Sequence, residues 1–342
     1  MRVHVRTAIV LALSVAMLAW FLRGADLGQV WSEIQNGRVG LLVLAVGITL
    51  MTYVFRALRW QYLLRPLGRP PFSAVFRTTV IGFAVSTLLP ARAGEVVRPY
   101  LLARRAGFSA TSAFATIILE RVLDLITVLL LFGFYLAFYT PAVSAEHSAT
   151  FTALKSGGML AAVASVAGLA FMMLVAGHPE KLAAWALRVE RVLPAKFAAA
   201  MAQFVRTFLE GLAVVRQPAR LVVAGLLSLP LWLSIALGIW ATSQAFHIDM
   251  IYPGAFLMMA VLVVGVAVPT PGSVGGFHKA YQIGAVAFFG VANDKAVGAA
   301  LVLHAISFVP VTIGGAVFLA QEGLSLSGVR GLAVRDASED TA

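Results

Sequence analysis

The stretch "LLPARAGEVVRPYLLARRAG", residues 88–107, follows an apolar run and then presents Arg92, Glu95 and Arg98 in quick succession. The side of a membrane on which it lies decides the fold. If the preceding run, residues 72–89, crossed a bilayer fully, Arg92, Arg98, Arg104 and Arg105 would lie on the outer face. After two further crossings the polar stretch 178–220 would join them, with Lys181, Arg188, Arg191, Lys196, Arg206, Arg216 and Arg220. Lys and Arg concentrate in cytoplasmic loops, so this topology fails. The conflict disappears if residues 72–105 enter from the cytoplasm, turn at Pro90–Gly94 and leave on the same side, as a re-entrant helical hairpin.

Composition supports a membrane setting. The 342 residues are 60% hydrophobic and only 12% charged, about half the charge content of a soluble domain. The net charge of +11 comes from arginines that border apolar runs, which points to a membrane surface and not to nucleic acid. With no cysteine and six scattered histidines, disulfides and thiolate metal sites are excluded, and neither a metal nor a cofactor is expected.

Working outward, apolar runs lie near 7–22, 39–55, 111–139, 158–177, 220–246 and 296–320. With Arg2 and Arg6 inside, the loop after 39–55 is cytoplasmic, and it carries Arg56, Arg59, Arg65 and Arg69. The N-terminal run lacks a small-x-small cleavage pattern and reads as a retained helix and not a signal peptide. Two further runs, 254–268 and 277–292, are short and flank "VPTPGSVGGFHKAY". They form a second hairpin, which re-enters from outside. The expected fold is therefore an all-α polytopic membrane helix bundle with about six full crossings and two opposed re-entrant hairpins, 72–105 and 254–292, in an inverted-repeat-like arrangement. Residues 1–322 form a single membrane domain with both termini cytoplasmic. The polar tail 323–342 is expected to be disordered.

Two further patterns bear on this plan. "GFAVST" (82–87) echoes "GVAVPT" (265–270). The echo is either a trace of opposed repeats, a recurrent transporter plan, or coincidence in an Ala/Val-rich chain. Over 179–217, Phe197, Met201, Phe204, Phe208 and Leu212 recur at helical spacing. That segment reads as amphipathic helix on the cytoplasmic leaflet, separated by Pro194 from a similar helix at 180–191, and serves either as a packing linker or in regulation.

Candidate site residues cluster at the tips. Irregular backbone at membrane depth is tolerated only where protein or a water-filled cavity satisfies it, so a Pro/Gly tip implies a polar cavity. Arg92, Glu95 and Arg98, spaced by three, form one helical stripe along it. In "TIILERVLDLITVLLLF", Glu120, Arg121 and Asp124 interrupt an apolar helix, roughly 15 Å deep by helical rise. Each such charge costs about 2.5–3.5 kcal/mol to insert, so they must pair, and the hairpin arginines are the nearest candidates. This network either pins the hairpin or also receives a charged head group; the arginine fork suits phosphate oxygens. At the second tip, Pro269, Pro271, Gly272 and Gly275 break the chain ahead of a helix starting near Gly276, whose free N–H groups would favour an anion. His278 and Lys279 touch the head group or snorkel outward. His304 reads as a packing residue.

"PARAGEVVRPYLL" (90–102), "ERVLD" (120–124) and "PTPGSVGG" (269–276), in this order, resemble the flippase-like membrane region of lysylphosphatidylglycerol synthases. The resemblance extends over about 5–320. It implies a bacterial or archaeal inner-membrane protein that moves or handles modified lipids, with head-group contacts at Arg92, Gly94, Glu95, Arg98, Glu120, Arg121, Asp124, Pro269, Pro271, Gly272 and Gly275. Many members carry an acidic residue where this chain has His278. The aminoacyl-transferase domain of the full synthases is not in this sequence. The expected function is translocation of a polar, anionic lipid or lipid-linked precursor between leaflets. Its partners are membrane lipids and envelope-lipid biosynthetic enzymes, with no nucleic acid. The rivals are a lipid head-group transferase and a non-transporting accessory subunit of an envelope-lipid pathway.

Overall fold

A computed structural model describes residues 2–89, 92–139, 147–178, 195–268 and 270–324. These form twelve α-helices and no strand among the described residues: α1 (Arg2–Leu22), α2 (Leu27–Gln35), α3 (Val39–Leu63), α4 (Phe72–Leu88), α5 (Gly94–Ala106), α6 (Ala110–Phe138), α7 (Ser148–Gly177), α8 (Ala195–Gly211), α9 (Pro218–Ala245), α10 (Gly254–Ala267), α11 (Gly276–Phe289) and α12 (Asn293–Gln321). Pro90, Ala91, Pro269, the helix expected at 180–191 and the tail beyond 324 lie outside the described residues.

Helix length sorts these elements. By length and composition α3, α7, α9 and α12 suffice to cross a membrane. With 29 residues α6 is as long, but Glu120, Arg121 and Asp124 interrupt it. The helices α4, α5, α10 and α11 have 17, 13, 14 and 14 residues. They rise only about 20–25 Å, short of a hydrocarbon core roughly 30 Å thick. Although α10 is apolar nearly all round, most of it is covered; Leu257, Met258, Met259 and Ala260 are buried in the largest core cluster with Phe246, Phe256 and Tyr281, and Val264 near its end is exposed. An all-round apolar helix in a protein interior behaves in this way.

Two boundaries and one additional helix differ from the sequence reading. The second apolar run does not end at residue 55: α3 continues to Leu63 and takes Arg56 and Arg59 out of the expected loop. No glycine or proline intervenes before Pro66, and Ala, Leu and Arg are strong helix formers. The fourth crossing starts ten residues early, at Ser148. The loop between α1 and α3 contains α2, which the Asp26 carboxylate caps by accepting the Gly28 and Gln29 N–H groups at 2.8 and 3.2 Å; this is an N-cap arrangement. On α8, Leu209 is buried, as is Leu212 just past its end, and the Ser112 hydroxyl of α6 donates to the Thr207 carbonyl at 2.6 Å, while Met201 and Phe204 stay exposed.

The connections gather at two ends of the bundle. At one end, the Asn293 amide donates to the Gly24 carbonyl at 3.2 Å and the Arg38 N–H to the Ala245 carbonyl at 2.9 Å. At the other, Leu67, Phe72 and Phe108 pack with Trp60 and Leu64, and Arg105 pairs with Glu322.

The two hairpins, α4–α5 and α10–α11, share one packing device. Gly82 on α4 lies against Gly94, the first residue of α5; a Cβ on Gly94 would collide with the Gly82 carbonyl oxygen. On α10, Gly265 lies against Gly276, the first residue of α11, with the same collision in store. Gly82 and Gly265 are the corresponding first residues of the two echoed hexapeptides. The echo therefore marks the same close helix approach in both hairpins, one that only glycine permits.

Candidate functional site

An ion network lies behind the first hairpin. Glu120 and Asp124, one turn apart on α6, share a face. Arg59 of α3 reaches both: Nη1 donates to Asp124 Oδ1 at 2.6 Å and to the Ser228 hydroxyl at 2.9 Å, and Nη2 donates to Glu120 Oε1 at 3.1 Å. The other Glu120 oxygen accepts from Arg98 Nη1 at 2.9 Å. The Arg98 guanidinium lies 3.7 Å over the Trp60 ring, and the Trp60 N–H donates to Thr116 Oγ1 at 2.9 Å. Trp232 donates to Asp124 Oδ1 at 2.8 Å. Side-chain exposure of Arg59, Arg98, Glu120 and Asp124 is 0, 3, 3 and 8%. These two cations and two anions balance. Buried charges persist only when paired and hydrogen-bonded in this way.

A cavity of about 380 Å³ opens in front of this network, between the hairpins. Its wall carries Arg56, Arg92, Arg98 and Arg121 with Glu95 and Asp124, apolar side chains such as Ile239, Met259, Leu262, Phe277, Leu303 and Phe308, and hydroxyls such as Thr52, Ser86 and Ser307. Arg121 bridges Glu95 (Nε–Oε1 3.2 Å) and Asp124 (Nη1–Oδ2 3.2 Å). Arg92, at φ +52° in the left-handed region, is half exposed. Its Nη2 donates to the Val266 carbonyl in the last turn of α10 at 2.9 Å, and its Nη1 lies 3.9 Å from Glu95. A cation at a helix C-terminus interacts favourably with the dipole, so the first tip caps the second hairpin. Arg56 lies 4.6 Å over the Phe83 ring, and among the described residues no carboxylate lies within ion-pair distance of it.

The structure thus brings together Arg92, Gly94, Glu95, Arg98, Arg121 and Asp124 around the cavity, with Gly272 facing them from the second tip. Glu120 faces the arginines behind the wall. The expected pairing is met at Arg98–Glu120, whereas the partners of Asp124 are Arg59 and Arg121 and not a hairpin arginine. Arg56 and Arg59, assigned from sequence to a loop, belong to the site together with Trp60 and Trp232. Their signal is the three-residue spacing in "RALRW" (56–60) at the end of an apolar run. With them the group has five arginines and three carboxylates, a net of +2 in place of the neutral six read from the sequence.

At the second tip, Pro271 opens a short 3-10 turn and α11 starts at Gly276, as expected. Its N-terminal groups are not all free: the Gly275 N–H donates to His278 Nδ1 at 3.2 Å. His278 is 4% exposed and stacks on His304 at 4.3 Å, and His304 Nε2 bonds the Gly272 carbonyl at 2.7 Å. Gly275 packs against Met17 of α1. Neither Gly275 nor His278 lines the cavity; both brace the tip. The Lys279 ammonium lies 4.8 Å over the Trp20 ring.

A helical bundle with four membrane-length apolar helices and a charged interior cavity is a polytopic membrane protein. Within that class the chain belongs to the family described as the lysylphosphatidylglycerol synthase TM region, whose sequence model matches residues 7–315. The chain is similar to glycosyltransferase AglD of Haloferax volcanii, 27% identical over 329 residues, 89% of this chain and 52% of that one. It is also similar to UPF0104 membrane protein MJ1595 of Methanocaldococcus jannaschii, 24% identical over 122 residues, 35% of this chain and 36% of that one. The chain spans about half the length of AglD.

Proposed function

We propose that this protein translocates a polar, anionic lipid or lipid-linked precursor between the leaflets of the inner membrane. The observation that carries the reading is the cavity between the hairpins, whose wall combines four arginines with hydroxyl and many apolar side chains. Arginine forks would hold phosphate oxygens, and the tails would remain in lipid along the apolar side chains. Both hairpins would re-enter, from opposite faces, and both termini would be cytoplasmic. The short helices and the gathering of the connections at two ends of the bundle support this arrangement. The hairpin tips are joined by Arg92 on Val266 and by Gly272 beside Thr87. Parting these contacts on one side at a time would give alternating access.

The test is leaflet exchange of a fluorescent phosphatidylglycerol in reconstituted vesicles, read by quencher accessibility. Wild type should accelerate exchange, and the Arg92→Ala/Arg121→Ala variant should fall to the protein-free rate. Equal rates for the two proteins overturn the reading; wild-type exchange at the protein-free rate favours an accessory subunit acting with envelope-lipid enzymes. The printed name of AglD supports a second reading, a head-group transferase using the same cavity. A new lipid product formed by the purified chain from labelled lipid and sugar donors would establish it.

A further inference from the structure

Resting on that reading, we infer that the cavity selects a dianionic phosphoryl head group, a phosphomonoester or terminal pyrophosphate, over a monoanionic phosphodiester, and that Glu95 occupies the head group's place when the site is empty. The inference starts from how the charges divide. Arg59 and Arg98 are committed to Glu120 and Asp124, and these four are nearly without exposure. They form a neutral, fixed base. In front of it stand Arg56, Arg92 and Arg121; Asp124, whose charge Arg59 already matches, also reaches Arg121, and Glu95 is the remaining carboxylate on the described wall. Three cations against one anion leave an excess of two positive charges beside apolar side chains.

Cations without a counter-charge beside apolar side chains favour an anion that matches them. A phosphodiester, with one negative charge, leaves one cation unmatched, whereas a phosphomonoester at pH 8 carries nearly two charges, its second pKa being about 6. The donors for a larger anion are in place. Among the described residues Arg56 has no carboxylate within ion-pair distance, and Arg98, which lines the cavity, keeps Nε and Nη2 without a hydrogen-bond partner.

Glu95 differs from the other two carboxylates. It is 29% exposed, 3.2 Å from Arg121 and 3.9 Å from Arg92. It holds these two guanidiniums where an incoming phosphate needs them. Among the described residues no third donor holds it, unlike Asp124, which has Arg59, Arg121 and the Trp232 N–H. A bound head group would displace Glu95 and take over its partners.

The experiment measures equilibrium binding to the purified full chain in detergent, read by native mass spectrometry. The probes are phosphatidic acid, phosphatidylglycerol and phosphatidylcholine with identical acyl chains, and inorganic phosphate alone. At pH 8, phosphatidic acid should bind about tenfold or more tighter than phosphatidylglycerol, a difference of about 1.4 kcal/mol. At pH 5 the phosphomonoester is a monoanion and the preference should vanish; phosphatidylglycerol, singly charged throughout, controls for changes in the protein. Glu95→Gln should tighten both anionic lipids, and Arg56→Gln should abolish the preference while binding persists.

Equal affinity for the two anionic lipids at pH 8 overturns the inference and leaves the translocation reading intact. Weaker binding by Glu95→Gln overturns the part assigned to Glu95. Absence of any anionic-lipid binding by folded protein overturns both the inference and that reading. Inorganic phosphate binding as tightly as phosphatidic acid assigns the site to a free anion and overturns the lipid head group.

Discussion

Arg59 and Asp124, 65 positions apart in the chain, meet at 2.6 Å where Arg59 has no exposed surface. The same guanidinium holds Glu120. Removing Arg59 leaves two buried carboxylates short of a partner, a change that costs about 3–5 kcal/mol for a buried pair. Arg59→Ala should therefore lower the thermal midpoint of the detergent-purified protein sharply or abolish its recovery. Arg59→Lys should rescue only in part, because an ammonium cannot fork to both acids. Arg59→Ala/Asp124→Asn should be more stable than Arg59→Ala alone. A melt in which Arg59→Ala matches wild type would remove the network from any role in holding α3 to α6.

The glycine pairs make a second prediction. A Cβ on Gly94 meets the Gly82 carbonyl and Ser86 hydroxyl oxygens, and one on Gly265 meets Ala280 and the Gly276 carbonyl. Backbone atoms cannot be moved aside by a rotamer change, so each hairpin must splay. Gly94→Ala and Gly265→Ala should each destabilise by about 1–3 kcal/mol, the usual range for overpacking. Gly168 on α7 faces open space, and Gly168→Ala should be neutral or stabilising by up to about 1 kcal/mol. Comparable melts for all three variants would show that close approach is not what shapes the tips.

Topology is open to direct measurement because the chain contains no cysteine. Arg69, Arg104 and Asp249 are exposed and mark the loop before α4, the end of α5 and the loop before α10. With both hairpins re-entrant, Arg69→Cys and Arg104→Cys should react with an impermeant maleimide only after cells are opened. Asp249→Cys should react in intact cells. Labelling of Arg69→Cys and Arg104→Cys from opposite sides would break the first hairpin's re-entrant path.

Much of this was legible in the sequence because the signals are local. Proline and glycine punctuate each tip, and Arg92, Glu95, Arg98, Glu120 and Asp124 carry their helical spacing on the page. Arg56 and Arg59 were not, for a physical reason. An arginine at the end of an apolar run satisfies the positive-inside rule whether it lies in a loop or inside a helix. What separates the two cases is a distant partner: for Arg59 the carboxylates of Glu120 and Asp124, some sixty residues away, and for Arg56 the Phe83 ring. Trp232 reaches Asp124 across 108 positions, and nothing in "LPLWLSI" marks it. The head-group residues expected at the second tip divide along the same line. Gly272 faces the cavity, whereas His278 spends its ring on a backbone N–H three residues back, a role that sequence spacing alone cannot separate from ligand contact.

That role explains the departure at His278. Many members of the family resembled by this chain carry an acidic residue there, and an acid at the third position of a helix can accept the N-cap N–H in a capping box. In this chain His278 Nδ1 accepts the Gly275 N–H instead. His278→Ala removes the acceptor and should cost about 1 kcal/mol, the typical effect of losing a cap. His278→Glu restores an acceptor but places a carboxylate at a site only 4% exposed, so it needs a cation. His304, stacked at 4.3 Å on the native ring, can supply one by protonation. Melts of the purified protein should therefore rank wild type and His278→Glu above His278→Ala. In a His304→Phe background His278→Glu should fall to the level of His278→Ala or below, because the carboxylate is then unpaired. If His278→Glu instead loses anionic-lipid binding while melting like wild type, the ring contributes to the ligand and not to the cap.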